Sequence, residues 1–170
     1  MTQSKTLRRW ELALLLGVAL AALLGVWLDG AQAALSDRVI RLHVLANSDS
    51  EADQALKLRV RDAVLAEAEE LFVPGAGRAE TEELLRAHLY DLAAAGAEVV
   101  GEAGYSYPVT ASLVHDYWFP PKTYTDFALP AGAYTALRIE IGAGGGQNWW
   151  CVVFPPLCLG SVSETTQETA

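Results

Sequence analysis

Apolar and polar positions along this chain change their period several times, and each change marks an element. From Leu12 to Leu28 seventeen residues run without a charge, behind the basic residues Lys5, Arg8 and Arg9. Val39 to Ala46 then alternates as a strand does, with Ile40, Leu42 and Val44 on one face and Arg41 and His43 on the other. Asn47-Ser48-Asp49-Ser50 breaks the strand. Ser48 with Glu51, and Ser50 with Asp53, each place an acid three residues after a hydroxyl, which predicts a helix from Glu51 to about Phe72. Leu56, Val60, Ala63, Val64 and Leu71 form its apolar stripe, and Asp53 with Lys57 reads as an acid-to-base pair on its wet face. Pro74-Gly75-Ala76-Gly77 ends it. A second helix is predicted from about Arg78 to Ala95, with Leu85, Leu89 and Leu92 as its stripe and Gly96 as its C-cap.

Beyond Gly104 the period falls to two. Tyr105 to Tyr117 and Ala133 to Ile141 read as strands, the latter with Leu137, Ile139 and Ile141 inward and Arg138 and Glu140 outward. Phe119 to Tyr124 is a Pro-rich connection, and Trp149 to Phe154 is the last strand. Gly142 to Gly146 reads as a turn between two paired strands. A phosphate-cradling loop would be followed by a helix, whereas strand composition follows here, with no Lys-Ser/Thr pair. The fold expected is α+β, a largely antiparallel sheet packed on a helical pair and preceded by an N-terminal signal or anchor segment.

The N-terminus combines a basic patch, the apolar run and Asp29-Gly30-Ala31-Gln32-Ala33, an A-x-A pattern that places signal cleavage between Ala33 and Ala34. An uncleaved membrane anchor is the alternative, because seventeen apolar residues reach the short limit for a span. In both cases the remainder lies outside the cytoplasm, since the positive flank stays inside. Residues 1–33 are thus assigned to the leader or anchor, 34–160 to one domain and 161–170 to a disordered tail. The chain carries −9; three basic and two acidic residues fall in the first 33, so the rest carries −10. Such a surface repels phosphate backbones, and no nucleic-acid partner is expected.

Candidate chemistry is sparse. His43, His88 and His115 show neither HExxH nor His-x-His spacing, and no metal or cofactor is expected. There is no G-x-S-x-G elbow, and Asp49 with Asp53 matches the acid enrichment of a helix first turn, so no catalytic residue is assigned. Cys151 and Cys158, six residues apart between them, are either a disulfide-closed loop or two buried thiols. Trp149 and Trp150 must point to opposite faces of their strand, one into the core and the other outward or into a groove.

Ile40 to Ser50, continuing Asp53-Gln54-Ala55-Leu56-Lys57-Leu58-Arg59-Val60-Arg61-Asp62-Ala63-Val64, resembles the opening of stage II sporulation protein R. Asn148-Trp149-Trp150-Cys151-Val152-Val153-Phe154-Pro155-Pro156-Leu157-Cys158 resembles its closing motif. Tyr107-Pro108-Val109-Thr110, Leu129-Pro130-Ala131-Gly132 and Leu137 to Gly142 match between them, whereas Phe72 to Gly104 matches poorly. The resemblance implies a non-enzymatic signal of endospore formation, exported from the forespore into the space facing the mother cell. There it activates a membrane-embedded aspartic protease of the mother cell, which matures a sigma-factor precursor. Residues at element ends are then candidates for partner binding: His43, Asn47, Ser48, Asp49, Ser50, Asn148, Trp149 and Trp150. An exported envelope hydrolase using His43 and Asp49, or a histidine-held zinc, is the rival reading; a non-signalling envelope protein is a third.

Overall fold

The computed structural model describes residues 8–124 and 127–157. The chain divides into two compact units, 1–35 and 36–170. The first is built on helix α1, Arg9–Ser36. Trp10, Leu12, Leu14, Leu16, Leu20, Leu23 and Trp27 are exposed around it, so α1 is apolar on all sides rather than along one stripe. Its segment Arg9–Trp27, with mean hydropathy 2.0, is long and apolar enough to cross a membrane by length and composition.

The second unit contains strand β1 (Ile40–Leu45), helices α2 (Glu51–Glu70), α3 (Arg78–Ala87) and α4 (Leu89–Glu102), and strands β2 (Val109–Phe119), β3 (Lys122–Thr123), β4 (Ala128–Leu129), β5 (Gly132–Ile141) and β6 (Asn148–Phe154). Four strands form one sheet in the order β2-β5-β1-β6, and β3 pairs with β4 as a separate short ribbon. β2 and β6 run antiparallel to their neighbours, and β1 is parallel to β5. The α+β fold with a largely antiparallel sheet is therefore as expected. One face carries Leu42, Val44, Leu137, Ile139 and Ile141, which join Leu56, Val60 and Val64 of α2 and Leu92 and Val100 of α4 in the core.

Three expectations need correction. Gly142–Gly146 does not turn between paired strands. β1 lies between β5 and β6, so the loop instead crosses over the C-terminal end of β1. The second helix is two: α3 ends at Ala87, His88 is the junction, and α4 continues past the expected stop to Glu102. Gly96 is accordingly no cap. It is buried inside α4, where an added Cβ would lie 3.0 Å from Val109 Cγ1 and 3.1 Å from Val60 Cγ1. The missing side chain lets α4 approach both α2 and β2. Asp53 and Lys57, finally, do not sit on a wet face: each is 4 % exposed and engaged by the loops at the head of α2.

β2 begins at Val109 rather than Tyr105, and its register shifts between Val114 and Tyr117, where Asp116 takes a positive φ of 53°. This bulge re-aims the end of the edge strand, so that Tyr117 and Phe119 stand beside Tyr134 and over β1. Gly96→Val forces branched methyls into the α2–α4–β2 contact and should lower unfolding free energy by about 2–3 kcal/mol in urea titration. An unchanged midpoint would show that the contact is loose.

Candidate functional site

Two polar regions flank β1, and they differ in what their side chains do. The first lies at its C-terminal end, where Asn47 to Ser50 meets the glycine loop. Asn47 joins both sides: its Oδ1 accepts from Ala143 N at 3.0 Å and its Nδ2 donates to Asp53 Oδ2 at 2.9 Å. Ser48 Oγ donates to the same carboxylate oxygen at 2.6 Å, and Ser50 Oγ caps α2 by accepting from Asp53 N at 3.2 Å. Asp49 Oδ1 accepts from Gln147 N at 2.7 Å. Lys57 Nζ donates to Gln147 O at 3.0 Å and Gln54 Oε1 at 2.7 Å. The backbone completes the knot, with Gly145 N on Asn47 O and Gly146 N on Ala46 O.

The glycines follow from this packing. Gly142 has a φ of +60°, and a Cβ on Gly146 would overlap the Ser48 carbonyl. Hydrogen bonds from Ser48 and Asn47 hold the Asp53 carboxyl below the usual carboxylate range. Burial lowers Lys57, opposed by the charge of Asp49. Asn47, Ser48, Asp49 and Ser50 thus all bond within the chain, with Asp49 and Ser50 still reaching solvent.

The second region is the sheet face that α2 and α4 do not cover. Cross-strand pairing places Ser112, Arg138, His43 and Trp150 in one row across all four strands. Beside it runs the row Thr110, Glu140, Leu45 and Asn148, and on the other side Val114, Ala136, Arg41 and Val152. His43 is 1 % exposed, its Nε2 lies 2.7 Å from Asn148 Oδ1, and Tyr117, Phe119 and Trp150 surround its ring. An amide oxygen only accepts, so Nε2 carries the proton, and Nδ1 is left without a partner. Burial lowers the His43 pKa, with the Asn148 hydrogen bond opposing it.

Arg41 is fully buried beside it. Its guanidinium lies 4.0 Å from the Phe119 ring centroid and 5.1 Å from that of Tyr134, and Nη2 donates to Tyr124 Oη at 3.2 Å. Nε and Nη1 have no hydrogen-bond partner. Alternation places Arg41 on the face of β1 opposite Ile40 and Leu42, and the central position of that strand in the sheet buries it. The signal available was its position between two residues of the apolar stripe.

The two tryptophans take opposite faces, as alternation requires. Trp149 lies on the helix side with the Arg61 guanidinium 4.4 Å from its ring centroid; Trp150 lies on the helix-free face; both are half-buried. His88 and His115 are not brought to His43. His88 pairs with Asp91 at the α3–α4 junction, and His115 sits on the helix side near Glu82 and Thr135. Cys151 is buried and disulfide-bonded rather than free; Cys158 and the tail 161–170 lie outside the described residues. α1 runs through Ala33 and Ala34 as continuous helix.

The chain thus combines an N-terminal helix long and apolar enough to cross a membrane, by length and composition, with a separate small α+β domain. Comparison with known proteins places it further. The family model described as stage II sporulation protein R matches residues 36–164, and the chain belongs to that family. It is 39 % identical over 125 residues to stage II sporulation protein R of Bacillus subtilis (strain 168), covering 74 % of this chain. The match spans 55 % of that relative's own length. No solved structure matches.

Two outcomes check the site. The folded state disfavours protonated His43, so stability should fall as pH drops below the ordinary value of 6.5, where only the unfolded chain takes up the proton. The loss is bounded by about 1.4 kcal/mol per pH unit for one proton. Melting temperatures of wild type and His43→Gln from about pH 7.5 to about pH 5 should converge as pH falls; parallel curves would contradict the buried neutral imidazole. Gly146→Ala should cost about 2 kcal/mol or more by breaking the knot, and a wild-type melting curve would contradict the close approach.

Proposed function

We propose that this chain is an exported intercellular signal of endospore formation that activates a membrane-embedded aspartic protease of the mother cell, leading to processing of a sigma-factor precursor. The observation that carries the reading is membership of the sporulation family in a chain led by a basic patch and an apolar helix of spanning length. The protein acts in the space between forespore and mother-cell membranes, either secreted after cleavage at Ala33–Ala34 or held on the outer face of the forespore membrane. It works as a binding protein, not as an enzyme, and needs no cofactor.

Activation by binding requires that the signal prefer the active arrangement of the protease over its resting one. Raising the active fraction from about 1 % to about 50 % needs roughly a hundredfold preference, about 2.7 kcal/mol. One or two half-buried anchors at a docking surface supply that much. Of the candidate partner-binding residues, Trp150 and Asn148 flank His43 on the helix-free face, and Asp49 and Ser50 stand exposed between β1 and α2. Trp149, stacked under Arg61, supports the helix side instead.

Co-expression with the protease and its precursor in a non-sporulating host tests this. The full chain should drive precursor cleavage, and a version starting at Ala34 and retained in the cytosol should not. Trp150→Ala should reduce cleavage by about tenfold, measured on chain that is still exported and still gives a cooperative melting curve. Equal cleavage by the leaderless version would overturn the reading.

A further inference from the structure

We propose that two copies of this chain pair edge to edge through β2, antiparallel about a two-fold axis at Ala111, so that their two sheets join into one. Such pairing is independent of the signalling reading, and it is tested by association rather than by cleavage.

Backbone geometry leaves one side of β2 open. The strand lies at the end of the order β2-β5-β1-β6, with β5 as its neighbour in the sheet. Gly142 N donates to Pro108 O at 2.8 Å, which makes Pro108 and Gly142 a hydrogen-bonded pair of the antiparallel ladder. Alternation along the unbroken register then turns the N–H and C=O of Thr110, Ser112 and Val114 toward β5. Those of Val109, Ala111 and Leu113 point away from the sheet, and among the described residues they meet no backbone partner. Open edges are ordinarily guarded by charge, proline, brevity or a bulge. From Val109 to Val114 this edge carries no charged residue and no proline, and its register shift comes only after Val114.

The side chains select a second copy as the occupant. Val109-Thr110-Ala111-Ser112-Leu113 has the same pattern in both directions, with a large apolar residue at each end, a hydroxyl inside each and alanine at the centre. Two-fold pairing at Ala111 sets Val109 against Leu113 of the second copy on the helix side, where the two Ala111 methyls also meet. On the helix-free side it sets Thr110, which is exposed, against Ser112 of the second copy. Apolar and hydroxyl cross-strand pairs are both favourable, and no like charges are opposed. The outward N–H and C=O groups of Val109, Ala111 and Leu113 in each copy then satisfy one another, an isologous form of strand addition. Charge elsewhere opposes the pairing, because each chain carries −9. The seam itself is neutral, so salt screens the repulsion without weakening the contact. One strand from each copy is a small interface, and the association is accordingly weak and concentration-dependent.

The test uses the full chain in nonionic detergent, with micelles in large excess so that α1 helices are kept apart. In sedimentation equilibrium the wild type should form a reversible dimer between about 1 μM and about 1 mM chain, strengthened by added salt. Thr110→Cys chain mixed with Ser112→Cys chain should give disulfide-linked dimers on mild oxidation, and either chain alone far fewer. Ala111→Pro removes an outward N–H and leaves the ladder to β5 intact, so it should weaken association at least about tenfold. Thr110→Lys with Ser112→Lys in one chain opposes lysines across the seam and should do the same. Mixing that chain with one carrying Thr110→Glu and Ser112→Glu should restore pairing, which a misfolded variant would not do. A wild-type chain monomeric up to about 1 mM leaves the edge to a foreign strand and overturns the proposal. Association weakened by salt or undiminished by Ala111→Pro, equal cross-linking by either cysteine chain alone, or no pairing between the Lys and Glu chains would each overturn it as well.

Discussion

A fully buried guanidinium, with no ion pair among the described residues, lies at the centre of the sheet, and the architecture around it is what allows it to stay there. Burial of a lone charge costs several kcal/mol. Phe119 and Tyr134 return part of that through their ring faces, about 2 kcal/mol for a desolvated contact. Both rings are in place only because the bulge at Asp116 re-aims the end of β2 and because β1 is inserted between β5 and β6. The same insertion buries His43, keeps it neutral and forces the β5–β6 connection to cross over the end of β1.

That crossing accounts for the polar knot. A loop passing over the β1–α2 junction must bring its backbone against Asn47 and Ser48, which a chain with side chains at Gly142 and Gly146 could not do. Asn47, Ser48, Asp49 and Asp53 then serve two loops at once, fixing the start of α2 and the start of β6. The knot therefore sets the position of Asn148 and Trp150 on the helix-free face. Two stretches about a hundred residues apart are parts of one construction.

Local signals were legible where the cause is local. Alternation gave β1, β5 and β6 nearly to the residue, and the Ser50–Asp53 spacing gave the start of α2 with its observed cap. What failed depends on strand order, which no local pattern contains. Whether Gly142–Gly146 joins paired strands turns on β1 lying between them. Whether Asp53 and Lys57 are wet turns on a loop arriving from the far end of the chain. Gly96 looked like a helix stop because glycine usually is one, whereas here a close helix–sheet approach selects it. The opposite orientation of Trp149 and Trp150 was legible because strand period alone decides it. The burial of Arg41 was not, since the central position of β1 is visible only once the sheet is assembled.

The account assigns the two polar regions different work, the knot to holding the fold and the helix-free face to meeting a partner. Measuring melting temperature and precursor cleavage together, for Asp53→Ala and Asn47→Ala on one side and Ser112→Ala and Thr110→Ala on the other, tests that division most directly. The knot variants should lose stability and cleavage in proportion, while the face variants should lose cleavage at near wild-type melting temperature. Cleavage that tracks stability along a single line for all four variants would contradict it.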